Sequence, residues 1–131
     1  MTTMELLAPV GSFSSFTAAL EEGADAVYLG APALNARAQS REFSYAEIGA
    51  MTRQAHAAGV RIHVAMNSLV KETEIAAAVE GLARLEAQGI DALIIQDFAL
   101  FRLCRRYFPD LDLHASTLMS AHNALAVGKL T

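Results

Sequence analysis

The sequence predicts an α/β fold built from five βα units. A repeat carries this prediction: the segments "EEGADAVYLG", "HAAGVRIHVAM" and "EAQGIDALIIQ" share one pattern. In each, a helical stretch ends at a glycine (Gly23, Gly59 or Gly89) and an apolar, β-rich run follows. Glycine suits the left-handed backbone position that follows a helix, where a Cβ carries a steric cost. The spacing of the three glycines is that of βα units.

The predicted strands read as parallel strands covered by helices, because the run Ala92–Ile95 is apolar on both faces. Apolar residues at helical spacing fill the stretches between the strands. Ser44 followed by Glu47 predicts a capping box at the start of the second helix. The pattern predicts strands near residues 5–8, 25–29, 60–66, 92–95 and 112–115, with a helix after each.

Composition excludes several classes of protein. The chain has 131 residues, the length of one domain, and no run approaches the roughly 20 apolar residues that span a bilayer. Its first residues lack the basic start of a signal peptide, so we expect a cytoplasmic protein. A net charge of -4 gives no general attraction to nucleic acid but leaves room for a local basic patch. The single cysteine, Cys104, falls on an apolar helical stripe and reads as a buried small hydrophobe.

Two architectures accommodate five βα units. A complete flavodoxin-like, doubly wound sheet takes about this length. The first part of a (β/α)₈ barrel is the other, since a closed barrel needs roughly 250 residues. Both place function at the carboxyl ends of the strands, and periodicity does not choose between them.

Polar side chains follow the predicted strands at this functional edge. We take as candidate ligand-binding residues Asn35, Arg37, Asn67, Asp97, His114 and Ser116. Together they suit a polar or anionic ligand better than an apolar one. Asp97 has a structural alternative as the cap of the fourth helix, and Ser116 or Thr117 as the cap of the fifth. Asn35 and Arg37 belong to a 14-residue segment, "GAPALNARAQSREF", which is long for a connection in a compact βα protein and is therefore expected to be functional.

The stretch "LHASTLMSAHN" concentrates histidines and hydroxyls near the fifth strand. A serine hydrolase would need a third orienting group and an oxyanion hole, and the sequence has no G-x-S-x-G elbow. His114 and His122 lack the spacing that places two metal ligands on one helical face. We therefore expect neither a triad nor a metal site here. His114 is expected either at the functional edge or between strand and helix, and His122 on the fifth helix.

In order along the chain, "ELLAPVGSF", "GADAVYLGAPALNARA", "AHAAGVRIHVAMNSLV", "GIDALIIQDFAL" and "DLHASTLMSAHN" resemble the amino-terminal part of the peptidase U32 family. The resemblance covers nearly the whole chain and implies a TIM-like barrel rather than the flavodoxin alternative. It also implies that residues 1–131 are the amino-terminal portion of a single, truncated barrel domain.

The family resemblance implies several activities. Members carry the names of proteases or collagenases, and relatives act in hydroxylation of transfer RNA, ribosomal RNA or the ubiquinone ring. Several carry an iron–sulfur cluster held by downstream cysteines; Cys104 does not match these, so we expect no cofactor within this chain and a cluster only in a full-length parent. The chain also has Leu118 where the family often has glutamine.

Three hypotheses of function follow. The first is a U32-type enzyme that hydroxylates RNA, with RNA or a small anionic substrate as the binding partner and the six candidate residues around the site. The second is the peptidase or collagenase activity. The third is a non-catalytic fragment, or a half-barrel that needs a partner. In every case we expect the isolated chain to be inactive, and either to self-associate through its open sheet edges or to be poorly folded.

Overall fold

The computed structural model describes residues 3–34 and 43–130. Strands and helices alternate along the chain. The strands are β1 (Leu7–Pro9), β2 (Ala26–Gly30), β3 (Arg61–Met66), β4 (Ala92–Ile95) and β5 (Asp112–Ala115). The helices are α1 (Phe13–Glu21), α2 (Tyr45–Ala57), α3 (Ile75–Ala87), α4 (Phe98–Tyr107) and α5 (Ala124–Gly128). Short 3₁₀ turns occupy Glu72–Glu74 and Thr117–Met119.

The five strands form one parallel sheet in the order β1-β2-β3-β4-β5. Right-handed crossovers that always advance in the same direction place the four helices between the strands, α1 to α4, on the same face of the sheet. The flavodoxin alternative is therefore wrong, because its strand order reverses after the first strand and distributes helices over both faces. The sequential order is that of part of a (β/α)₈ barrel, in which each strand pairs with its neighbours along the chain.

Alternate residues of each strand face the helices. On β3 these are Ile62, Val64 and Met66, all nearly inaccessible to solvent. They belong to one apolar core together with helical side chains such as Leu82 and Cys104. The opposite face of the sheet, called here the inner face, carries the other set of side chains. In a barrel this inner face points toward the barrel axis.

The repeat seen in the sequence has a structural counterpart at the amino ends of the strands. Gly23, Gly59 and Gly89 have positive φ angles of 85°, 73° and 80°, as the helix-terminating role predicts. An aspartate lies two residues after the first and the third of these glycines. The Asp25 carboxylate accepts the N–H of Leu6, just before β1, at 2.7 Å. The Asp91 carboxylate accepts the N–H of Ile62, on β3, at 2.7 Å. These carboxylates tie neighbouring units together at the edge of the sheet where barrels keep their stabilising contacts.

Helix starts follow the predicted capping chemistry, with one exception. Ser44 and Glu47 form the capping box of α2, with the Glu47 N–H donating to Ser44 Oγ at 3.1 Å and the Ser44 N–H to Glu47 Oε2 at 3.0 Å. The prediction for the last helix was wrong. Ser116 caps the 3₁₀ turn, and α5 begins only after Asn123, whose Oδ1 accepts the Ala126 N–H. His122 consequently precedes α5 instead of lying on it.

None of the helices in the described part of the chain combines the length and the apolar character needed to cross a membrane.

Candidate functional site

A groove of about 540 Å³ opens on the inner face of the sheet at the carboxyl ends of the strands. Its floor is made of small or apolar residues, among them Gly30, Ala65 and Ile94. Gly30 pairs with Ala65 and Ala65 with Ile94 in the sheet, so the three lie side by side. The floor therefore spans β2, β3 and β4 near the carboxyl ends of these strands.

Polar groups surround this floor. They are Tyr28, Asn67, His114, Ser116 and Thr117. Tyr28 projects from β2, and the others come from the ends of β3 and β5. The described lining contains no Asp, Glu, Lys or Arg, and His114 is its one histidine. An apolar floor within a polar border is the usual construction of a small-molecule site, and the volume is in the usual range of roughly 300 to 1,000 Å³.

His114 approaches a second histidine beneath the groove. The ring of His63, on β3, meets the ring of His114 edge to face, with centroids 4.8 Å apart. His63 is only 3% exposed, and its Nδ1 has no hydrogen-bond partner among the residues that the structure describes. Burial lowers the pKa of His63, and the nearby His114 lowers it further. His63 therefore favours its neutral form next to an exposed imidazole.

Asn67, His114 and Ser116 are the predicted site residues that the structure brings together at the groove. Ser116 also has a local role, since its Oγ accepts the N–H of Leu118 at 3.2 Å. Its own backbone N–H donates to the Ile95 carbonyl at 2.8 Å, which extends the sheet pairing into the 3₁₀ turn. Asn35 and Arg37, the other two polar residues expected at this edge, lie outside the described residues.

Asp97 is separate from the groove. Its Oδ1 caps α4 by accepting the N–H groups of Ala99 and Leu100, at 2.7 and 3.2 Å. Its Oδ2 accepts the Val70 N–H at 3.0 Å and so fixes the segment that follows β3. With both carboxylate oxygens engaged, Asp97 acts as a cap and a loop anchor, which is the structural alternative that its position in the sequence allows.

Sequence reasoning missed Tyr28 and His63. Both lie within strands, whereas five of the six predicted site residues follow a strand and only His114 lies on one. The missed signal was alternation within β3, where Arg61, His63 and Ala65 occupy one face and buried aliphatic residues the other. Polar residues at alternate positions of a strand indicate that one face of the sheet can carry polar side chains.

Cys104, the single cysteine of the sequence, is not placed as an exposed cluster ligand. Cys104 is fully buried against the helix-side core, and burial raises the pKa of its thiol to about 11, whereas a ligand must be a thiolate. Within residues 3–34 and 43–130, no three His, Cys, Asp or Glu side chains converge as metal ligands would.

The sheet order, the one-sided helices and the groove at the carboxyl ends of the strands define a protein of the (β/α)-barrel class. The model of peptidase family U32 matches residues 11–130, and the chain belongs to that family. Comparison with solved structures gives the same fold: the U32 peptidase Mk0906 superposes with a TM-score of 0.70 over 99% of this chain and 57% of its own, at 12% sequence identity.

Two relatives show how this chain compares with whole proteins of the family. It is 33% identical over 119 residues to tRNA hydroxylation protein P of Escherichia coli (strain K12), a match covering 91% of this chain and 26% of the relative. It is 35% identical over 114 residues to a 23S rRNA 5-hydroxycytidine synthase of the same strain, covering 87% of this chain and 17% of that protein. The chain thus spans about a quarter or less of the length of these relatives.

Proposed function

We propose that this chain forms part of the substrate site of a U32 protein that hydroxylates RNA. The observation that carries the proposal is the groove, which combines an apolar floor with a border of hydrogen-bonding groups at the functional end of a barrel. The names of the relatives, a tRNA hydroxylation protein and a 23S rRNA hydroxycytidine synthase, support RNA as the substrate class.

The shape of the groove suits a nucleobase. A base is a flat ring with hydrogen-bonding groups on its edge, so an apolar floor can receive its face while polar side chains contact its edge. Enzymes that modify a base take it out of the stack and hold it in a pocket of this kind. His114, Ser116 and Asn67 are the groups that would contact the edge of the base.

Asn35 and Arg37 complete the proposed site. Arg37 would hold an anionic group, a carboxylate or a phosphate, by paired hydrogen bonds. This role is consistent with the described lining of the groove, which holds no permanently charged cation.

Peptide hydrolysis is less well supported by the arrangement of side chains. In the described part of the chain, neither His63 nor His114 is hydrogen-bonded to a hydroxyl, and the Ser116 Oγ accepts the Leu118 N–H without a histidine beside it. A serine nucleophile needs an adjacent base within hydrogen-bond reach. The third hypothesis, a fragment or half-barrel that needs a partner, is compatible with the same groove, and self-association of the isolated chain tests it.

The proposal includes two further features. An RNA substrate implies a cytoplasmic protein. An iron–sulfur cluster, proposed for a full-length parent on the family resemblance, would need ligands other than Cys104.

The test is the nucleoside composition of RNA from the source organism with and without the gene that encodes this chain. We expect mass spectrometry of digested transfer and ribosomal RNA to show one nucleoside that lacks an oxygen atom in the deletion strain and regains it on complementation. Identical nucleoside profiles in the two strains, under conditions that support hydroxylation of RNA, would overturn the proposal.

A further inference from the structure

Helix α4 carries a basic surface remote from the groove. Arg102, Arg105 and Arg106 are all exposed, on the side of the helix opposite the buried Leu100 and Cys104. The sequence has no acidic residue between Asp97 and Asp110. This one helix therefore holds three positive charges on a chain whose net charge is -4.

Within the described residues Arg102, Arg105 and Arg106 form no ion pair, a property they share with Arg53 of α2. What distinguishes the three is that they lie together on one helix. Arg84 binds Glu80 at 2.7 Å and Arg61 binds Glu5, so both are neutralised locally. In the described part of the chain no carboxylate lies within ion-pair distance of Arg102, Arg105 or Arg106. The helix dipole favours a cation in the last turn, but it requires neither three arginines nor the aromatic rings beside them.

Aromatic rings lie under two of the guanidinium groups. Arg105 lies 5.3 Å from the centroid of Phe101, and Arg106 lies 5.3 Å from that of Tyr107. Tyr107 is 57% exposed, and Phe98, one turn before Arg102, is 60% exposed. The rings limit the freedom of the arginines and offer flat surfaces of their own, which reduces the entropy lost when the arginines bind a ligand.

We propose that the arginines and rings of α4 form a docking surface for single-stranded RNA. The three guanidinium groups would contact successive phosphates, and Phe98 and Tyr107 would receive unstacked bases. The unpaired positive charge on an otherwise acidic chain favours a polyanion over a neutral partner. The inference rests on the proposed function and deepens it: RNA held on the outer wall of the barrel would present a nucleotide to the groove on the inner face.

The experiment measures binding of a fluorescently labelled single-stranded oligoribonucleotide to the protein at its full encoded length, as a function of salt. The test variant is Arg102→Gln/Arg105→Gln/Arg106→Gln. The matched control, Arg53→Gln/Lys71→Gln/Lys129→Gln, removes the same charge from exposed positions elsewhere. Circular dichroism verifies that both variants are folded.

We expect the test variant alone to bind RNA weakly. Glutamine carries no charge, so the test variant neutralises three fewer phosphates. Each neutralised phosphate of a single strand contributes roughly 0.7 to the steepness with which the logarithm of the association constant falls with the logarithm of salt concentration, so that slope should become shallower by about 2. The affinity of the wild type should consequently drop about 20-fold more than that of the test variant when salt rises from about 50 to about 200 mM.

The outcomes separate this inference from the proposed function. Equal affinities and slopes for wild type and test variant would overturn the docking surface while leaving RNA as the substrate. Equal losses in test and control variants would also overturn it, because the effect would then be one of net charge. A wild type that binds no RNA would contradict both proposals. Vesicles containing anionic lipid provide the last arm: loss of vesicle binding with RNA binding intact would assign the surface to a membrane instead.

Discussion

The rings of His63 and His114 make contact across strand β4, with their planes at 84° and their centroids 4.8 Å apart. The sheet register explains how two residues on non-adjacent strands can meet. His63 pairs with Ala92, and His114 pairs with Ile94, the next inner-face residue of β4. Because Ala92 has only a methyl side chain, the two imidazoles can approach each other over the strand between them. The contact links the buried part of the inner face to the groove.

The environment of His63 predicts that the folded chain loses stability as the pH falls. The pKa of His63 is below its ordinary value of 6.5, first because of burial and then because of His114; the charges of Glu5, Arg61 and Asp91 act more weakly and in opposing directions. As the pH falls below about 6.5, the unfolded chain binds a proton at this residue before the folded chain does. Folding stability is therefore lost through that window, and the loss ends once His63 is protonated in both states.

Replacing His63 by phenylalanine should weaken the dependence on acid. The ring contact with His114 is kept, while the titrating group and the unpartnered Nδ1 are removed. We expect the difference in melting temperature between about pH 7.5 and about pH 5 to be smaller for His63→Phe than for the wild type. His122→Gln, which replaces an exposed histidine outside the His63–His114 contact, is the matched control. The same pH dependence in wild type and His63→Phe would show that His63 does not titrate as described.

The two oxygens of Asp97 predict a graded loss of stability. Asp97→Ala removes the cap of α4 and leaves the Val70 N–H without its acceptor, so we expect a loss of about 2 to 3 kcal/mol in the free energy of unfolding. Asp97→Asn keeps one acceptor oxygen and should lie between alanine and the wild type. Urea denaturation measures both variants. Full stability of Asp97→Ala together with lost activity would instead identify Asp97 as a ligand-binding residue.

The edges of the sheet predict self-association of the 131-residue polypeptide. In the described part of the chain β1 and β5 each pair with one strand only, and Leu6, Leu7 and Leu118 are exposed nearby. Unpaired strand edges next to apolar surface favour contact with another chain. We expect light scattering to show a mass that rises with concentration, and Leu7→Lys to reduce the effect. A cooperatively unfolding monomer at all concentrations would contradict this prediction and with it the partner-dependent hypothesis.

Most of the fold could be predicted from the sequence because its signals are local. Gly23, Gly59 and Gly89 mark helix ends through a backbone conformation that other residues adopt at a cost, and the Ser44–Glu47 box marks a helix start within four residues. The start of α5 was mistaken because Ser116 and Asn123 offer two capping signals close together. The left-handed backbone of Ser120, with φ of 54°, ends the short turn that Ser116 caps, so the helix starts only after Asn123.

The candidate site was predictable only in part. Residues directly after strands, such as Asn67 and Ser116, could be placed at the groove because parallel strands share one carboxyl edge. The meeting of His63 with His114 depends on the register of three strands and on the size of Ala92, which no single segment encodes. Asp97 resembled a site residue because a cap and a ligand occupy the same position after a strand.

The most direct test of the proposed function is RNA hydroxylation by groove variants in a strain that lacks the native gene. Complementation with His114→Ala should leave the hydroxylated nucleoside at or near the deletion level, because it removes the imidazole that borders the groove. Complementation with His122→Ala, an exposed histidine outside the groove, should restore the wild-type level. Mass spectrometry of the nucleosides, at matched protein abundance, measures both. Restored hydroxylation by a stably expressed His114→Ala variant would contradict the claim that this groove is the substrate site.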